Sequence, residues 1–354
     1  AMLSIVNFMS LIATKASRVC NAAQGDPVLE FGLRRAQGPE AGLYGAKAAV
    51  IGGCKGTSNV LTGKMFNVPI SGTHAHSWVQ KFDTEIEAFR AYADIYPDSC
   101  LLLIDTYDVL NSGVKNAITV FNELRAKGHE PLGVRLDSGD LTYLSREVRR
   151  ILDEAGFENV KITASNDLDE YTITSLKQEG AKIDSWGVGT KLITSYDYPS
   201  LGGVYKLAAA TNSEGLLVPK IKISENPEKI NNPGFKKVVR IYNENGKAEA
   251  DLIMLADEVI DESNTLEIFD PIYTWKTKKF EKYSLREVLS PLFKDGKCVR
   301  DKKTIQEVTE YTRQELASLW DQHKRIKNPH IYKVDLSEGL WKMKQDMIAS
   351  KKVK

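Results

Sequence analysis

Two histidines one residue apart stand in the phrase Gly72-Thr73-His74-Ala75-His76-Ser77-Trp78, and the 354-residue chain has only five histidines in all. An imidazole can serve as general acid or base, or as a nucleophile beside a phosphate site, so this phrase is the first candidate for chemistry. Zinc is a second chemistry for such a pair. An all-protein zinc site needs further ligands, however, and His129, His323 and His330 stand in unpromising contexts. A buried structural role is the alternative for either His74 or His76.

The other chemistry-bearing residues cluster where apolar runs end. Phe31-Gly32-Leu33-Arg34-Arg35 brings adjacent arginines to such an end, where a carboxylate or phosphate ligand makes the placement favourable and a surface salt bridge is the alternative. Arg135 and Asp137 alternate in Val134-Arg135-Leu136-Asp137-Ser138-Gly139-Asp140 and so point to one face of a strand. Asp105 closes another run; aspartates at such a rim can hold Mg²⁺ or sugar hydroxyls, while Arg135 can grip a carboxylate or phosphate with two hydrogen bonds. Gly187, Gly189, Thr190 and Lys191, with Gly202 and Gly203 shortly after, suit close backbone approach to an anion, a phosphate cradle late in a barrel. Neither the Walker pattern nor GxGxxG is present. Helix capping competes for Ser138, Asp140 and Asp167, the last spaced from Glu170 as in a capping box.

These residues need strands that end together. Apolar runs at Val28 to Leu33, Val68 to Ser71, Cys100 to Asp105, Leu132 to Leu136, Val160 to Ala164 and Ser185 to Val188, with a short candidate at Gly56 to Val60, read as strands. Helical spacing fills the gaps at Glu40 to Ile51, Glu85 to Ala93, Val114 to Lys127, Leu141 to Ala155 and Leu168 to Gln178. The alternation predicts an α/β fold with a parallel sheet, more an irregular α/β barrel than an open sheet, whose strand ends carry the site. After Leu201 the texture becomes β-branched and turn-punctuated, with Asn243-Glu244-Asn245-Gly246 as a hairpin-like turn. From Ser284 onward amphipathic charged stretches dominate, and Lys303 to Lys324 reads as a packing helix. The expected division is a catalytic core at 1–200, a β-rich module at 201–283 and a C-terminal helical region at 284–354.

Composition narrows the classes. With 42% hydrophobic and 27% charged residues the chain reads as an ordinary globular protein, and 48 Lys plus Arg against 47 Asp plus Glu gives no global field for nucleic acid or an anionic membrane. The longest apolar run falls far short of a bilayer span. Cys20, Cys54, Cys100 and Cys298 are scattered without CxxC spacing, which favours a reducing, cytoplasmic setting.

Taken together, Phe31-Gly32-Leu33-Arg34-Arg35-Ala36-Gln37, Gly56-Thr57-Ser58-Asn59, Ser71-Gly72-Thr73-His74-Ala75-His76-Ser77, Asp105-Thr106-Tyr107-Asp108, Gly133 to Asp140 and Gly187 to Lys191 closely resemble nicotinate phosphoribosyltransferases, with similarity over nearly the whole chain. The resemblance implies an irregular α/β barrel with an α/β-sandwich module. It also implies formation of nicotinate mononucleotide and pyrophosphate from nicotinate and phosphoribosyl pyrophosphate, coupled to ATP hydrolysis in NAD biosynthesis, by a cytoplasmic homodimer using Mg²⁺. By motif, His76 resembles the family's phosphorylated histidine, Thr73 and Arg135 match positions that hold nicotinate, Arg34 matches an arginine lining the nicotinate and phosphate pocket, and Thr190 matches a position that binds phosphoribosyl pyrophosphate or the product phosphate. Asp105 and Asp137 are the expected Mg²⁺ carboxylates. Family chains begin upstream of Met2, so a segment bearing part of the sandwich and an aromatic cover for nicotinate is expected to be missing. The rivals are nicotinamide phosphoribosyltransferase, which resembles a site with an aspartate where this chain has Ser58, and a non-catalytic fragment or subunit.

Overall fold

The structure, a computed structural model, describes residues 2–226 and 229–351. The chain divides into two compact units: one runs to Gly202 and includes Lys303–Arg313, and the other holds Gly203–Lys302 and the segment from Gln314 onward.

In the first unit the elements run α1 (Met2–Ala22), β1 (Val28–Glu30), α2 (Pro39–Ile51), β2 (Gly56–Thr57), α3 (Val60–Phe66), α4 (His76–Gln80), α5 (Glu85–Ile95), β3 (Leu101–Leu103), α6 (Val114–Ala126), β4 (Gly133–Leu136), α7 (Leu141–Glu154), β5 (Lys161–Ala164), α8 (Glu170–Gln178), β6 (Ser185–Val188) and α9 (Thr190–Ile193). All six strands pair in parallel in the order β2-β1-β6-β5-β4-β3, a curled half-barrel. Leu102, Val134, Leu136, Ile162, Ala164, Trp186 and Val188 are buried, as expected of parallel strands covered on both faces. Of the strands expected from apolar runs, Val68 to Ser71 does not form one. It makes a single bridge, Thr57 to Ile70, because Pro69 has no N–H to continue a ladder.

Caps fix where helices begin. Thr84 and Glu87 form a capping box on α5, and Asp140 accepts from the Tyr143 amide to start α7. On α8 the cap is Asp169, which accepts from the Thr172 amide, so the box expected at Asp167 is displaced by two residues. Helix α1 was not read from the pattern, yet it buries Leu11, Ile12, Ala16 and Val19 along one face. On that face Lys15 is also buried and ion-pairs with Glu170 at 2.7 Å and with Asp197. No helix among the described residues is long and apolar enough to cross a membrane.

The second unit contains β7 (Ala209–Thr211), β8 (Leu217–Pro219), β9 (Lys236–Tyr242), β10 (Ala248–Leu255), β11 (Leu266–Phe269), β12 (Thr277–Phe280), β13 (Ser284–Glu287), β14 (Phe293–Lys294), β15 (Lys297–Cys298), β16 (Val334–Leu336) and α12 (Glu338–Lys351). A four-stranded sheet, β13-β9-β10-β16, is its centre, and Val239, Ile241, Ala250, Leu252 and Met254 pack with Ile268 and Phe280. The β9–β10 hairpin turns at Asn243 to Gly246 as expected, with Gly246 at φ 69°. Strands β13, β14 and β15 occupy the stretch from Ser284 onward, where helix was expected; helix begins only at Ile305. The stretch expected as one helix from Lys303 to Lys324 is two, α10 (Ile305–Ser318) and α11 (Asp321–Lys324), with Leu319 and Trp320 outside helical pairing.

Candidate active site

The site gathers at the carboxyl ends of β3, β4 and β5, beside the segment that leads into α4. Arg135, on β4, is the hub. Its Nη1 donates to Thr73 Oγ1 at 2.7 Å, its Nε to Ser165 Oγ at 2.8 Å and its Nη2 to Asp137 Oδ1 at 3.0 Å. The Phe31 ring lies 5.8 Å from the guanidinium carbon. Three of the five guanidinium N–H groups are thus engaged among the described residues, and two remain for a planar anion. Asp137 also accepts a very short hydrogen bond from Ser165. Burial opposes its ionisation, but the Arg135 charge, the Ser165 hydroxyl and the hydrogen bond from Arg135 hold its carboxyl below the ordinary aspartate range.

Asp105 follows β3 and is buried. Its Oδ2 accepts from the Asp137 amide at 2.8 Å and from Ser138 Oγ at 2.6 Å, so Ser138 serves this carboxylate and Asp140 does the capping. Asp105 Oδ1 is buried and has no hydrogen-bond partner among the described residues. Facing it is His76, the first residue of α4. His76 Nδ1 lies 3.1 Å from Thr106 Oγ1, while Nε2 looks at Asp105 Oδ1 from 3.9 Å and Asp137 Oδ2 from 3.7 Å. The imidazole is 40% exposed, so a ligand can reach it.

The two histidines part company. A strand would have placed them on one side; instead the segment is extended at Ala75 and turns into a helix at His76. His74 is buried against Tyr92 and Phe89, with ring centroids at 4.7 and 6.1 Å, and its Nε2 accepts from the Leu103 amide at 3.0 Å. Burial pushes its pKa down to about 4, so it is neutral at physiological pH.

The remaining predicted residues follow β1 or lie on and after β6. Arg34 and Arg35 form a tight helical turn with Leu33, are exposed, and make no ion pair among the described residues. That turn is fixed from beneath by Glu30, fully buried, which accepts from the Gly32 amide and from Thr57 Oγ1 at 2.6 Å; burial raises its pKa. Gly189 and Thr190 open the short helix α9 after β6. Gly187 is inside β6, where a Cβ would fall 2.5 Å from the Phe31 ring, so its bareness makes room for that ring. Lys191 donates to Asp169 at 2.6 Å, so its ammonium is already paired. Gly202 and Gly203 are exposed, with open space where a side chain would stand. Sequence reasoning gave no role to Ser165, Thr106, Phe31 or Glu30. For Ser165 a signal existed, a hydroxyl one residue past the end of β5.

Among the described residues no group of three or more His, Cys, Asp and Glu side chains forms a metal cage. The donors that do converge are the unpartnered Asp105 Oδ1 and Asp137 Oδ2. Two carboxylate oxygens suit Mg²⁺, which takes one or two carboxylates and fills its octahedron with water and substrate phosphate.

Fold and site define a class, an α/β protein with a curled, half-barrel parallel sheet whose strand ends combine arginine, carboxylates and a reachable histidine for an anionic substrate. Comparison with known proteins narrows this. The profile of the nicotinate phosphoribosyltransferase family matches residues 27–247, and that of the nicotinate phosphoribosyltransferase C-terminal domain matches 235–344. The nicotinate phosphoribosyltransferase of Bacillus subtilis is 48% identical over 98% of this chain and 71% of its own length; that of Homo sapiens is 31% identical over 96% and 72%. The crystal structure of human nicotinic acid phosphoribosyltransferase superposes with a TM-score of 0.83 at 28% identity, covering 98% of this chain and 75% of that one. The chain belongs to the nicotinate phosphoribosyltransferase family. Nicotinate-nucleotide pyrophosphorylase from Pyrococcus furiosus, at a TM-score of 0.69 and 24% identity over 90% of this chain and 72% of that one, shares the fold.

Proposed function

We propose that the chain forms nicotinate mononucleotide and pyrophosphate from nicotinate and phosphoribosyl pyrophosphate, and that ATP hydrolysis is coupled to this through a phosphate carried on His76. The observation that carries the reading is the Arg135 hub, which sets a guanidinium with two free N–H groups beside Thr73 and holds it opposite His76 and two carboxylates. In this reading Arg135 and Thr73 hold the nicotinate carboxylate, and Gly189 and Thr190 hold the ribose 5′-phosphate. Arg34 lines the pocket from the β1 side. The bond from ribose C1 to pyrophosphate breaks as the pyridine nitrogen bonds to C1, and pyrophosphate departs with the electron pair. Binding in one orientation and electrostatics supply the acceleration. Asp105 and Asp137 would hold Mg²⁺, which when bound offsets phosphate charge.

Coupling follows from charge. The γ-phosphoryl group of ATP passes to a His76 nitrogen and ADP leaves; water later cleaves the P–N bond and releases phosphate. While present, the phosphoryl group sets anionic oxygens against Asp105 and Asp137, which forces that corner to rearrange and alters how it holds pyrophosphate. Nicotinate is favoured over nicotinamide because Ser58, at the end of β2, offers no carboxylate to repel an acid. A homodimer is the assembly that fits the exposed apolar face of α1, where Met2, Ile5 and Val6 are more than half exposed. One preparation tests these points. A dimer mass by sedimentation equilibrium is expected, with mononucleotide formed from nicotinate and phosphoribosyl pyrophosphate and faster with ATP. Turnover of nicotinamide alone would refute the substrate, and a monomeric active enzyme would refute the dimer.

A further inference from the structure

Strand β3 is an edge of the six-stranded sheet, paired among the described residues only with β4. An edge strand leaves alternate amides without a ladder partner, and a buried one left so is costly. The Leu103 amide is such a donor. It is buried, it points away from β4, and it meets His74 Nε2 at 3.0 Å. The imidazole thus takes the place that the carbonyl of a next strand would fill. Two facts give this bond reach. Asp105 lies two residues beyond Leu103, and Thr73 and His76 flank His74 in sequence.

We infer that His74 is a positioning residue for the reaction: by accepting from the Leu103 amide it locks the segment bearing Thr73 and His76 to the strand bearing Asp105. The inference rests on the reading of His76 as phosphoryl acceptor and of Thr73 as nicotinate ligand. Both sides of the corner depend on it. Thr73 must meet Arg135 and His76 must face Asp105 and Asp137, and no strand pairing beyond the single bridge at Ile70 holds this segment to the sheet. The rings of Tyr92 and Phe89 fix the imidazole plane, so acceptor and packing are separable by substitution.

His74→Phe keeps a ring and loses the acceptor; His74→Leu loses both; His74→Gln restores an acceptor at similar reach without the ring. The assay is the rate of phosphate transfer from labelled ATP to His76, with kcat and KM for nicotinate, at a temperature where circular dichroism shows each variant folded. Expected is a fall of about tenfold or more in labelling rate and kcat for Phe and Leu, and a value within about threefold of wild type for Gln, since misplacement of reacting groups by about 1 Å is enough for such losses. Wild-type rates in a folded Phe or Leu variant, or a Gln variant as impaired as these, would overturn the inference. If the apolar variants do not fold, the Gln variant and hydrogen exchange decide: impaired labelling in folded Gln, or rapid exchange of the wild-type Leu103 amide, overturns it. If wild type takes no label, the phosphohistidine reading falls instead, and crystal structures decide this one. A shift of Thr73 and His76 of about 1 Å in the Phe variant and none in Gln supports it, and an unmoved segment in Phe overturns it.

Discussion

Arg135 decides more of the corner than any other residue. A guanidinium on a strand, buried to about five-sixths, is tolerable because Thr73, Ser165 and Asp137 satisfy three of its donors, and the same contacts hold Asp137 ionised. Lysine carries the charge without the planar fork and cannot hold three partners while gripping a carboxylate. Arg135→Lys should therefore lower kcat/KM for nicotinate by about a hundredfold with KM for nicotinate raised. Steady-state kinetics checks this, and an unchanged kcat/KM would remove Arg135 from the site. Much of this was legible in the sequence, because alternating charges inside an apolar strand have few inexpensive explanations. The fates of His74 and His76 were not. An HxH phrase specifies neither which imidazole is buried nor that a helix starts between them, since α4 has only five residues and shows no period.

At the scale of elements, strand ends carry the chemistry and helix starts hold them steady. Asp169 shows both: it caps α8 through the Thr172 amide and pairs with Lys191 on α9, next to Thr190. Although burial raises its pKa, the Lys191 ammonium and the Thr172 amide outweigh this and hold the carboxyl below the ordinary aspartate range. Its folded pKa being depressed, the stability it contributes is complete above the unfolded aspartate value and is lost as pH falls through the folded one. Asp169→Ala should cost about 1–2 kcal/mol at neutral pH, with a shallower loss on acidification than wild type. Urea melts across that acid range check it; equal slopes for both proteins would contradict it. The cap was legible only to within two residues, because Asp167 and Asp169 both precede a residue that could be N3. The apolar runs at β3 to β6 were plain from burial on both faces, whereas the run at Val68 was an apolar phrase with a proline in it.

For the molecule as a whole, the first unit supplies every residue of the corner, and the second builds its own core around β9 and β10. Its polar centre is Arg240, paired to Asp251 at 2.8 Å and to Glu315 at 2.9 Å. Composition excluded a nucleic-acid or membrane field but was silent on this partition, since balanced charge and ordinary hydropathy look alike in either unit. The link proposed between ATP and mononucleotide synthesis is one imidazole, His76. It is tested most directly by counting ADP and nicotinate mononucleotide released by wild type and by His76→Ala under saturating substrates. Wild type should release ADP with mononucleotide and take label from γ-labelled ATP; His76→Ala should form mononucleotide slowly, with no ADP, label or ATP stimulation. Label or ATP stimulation persisting in His76→Ala would contradict the account.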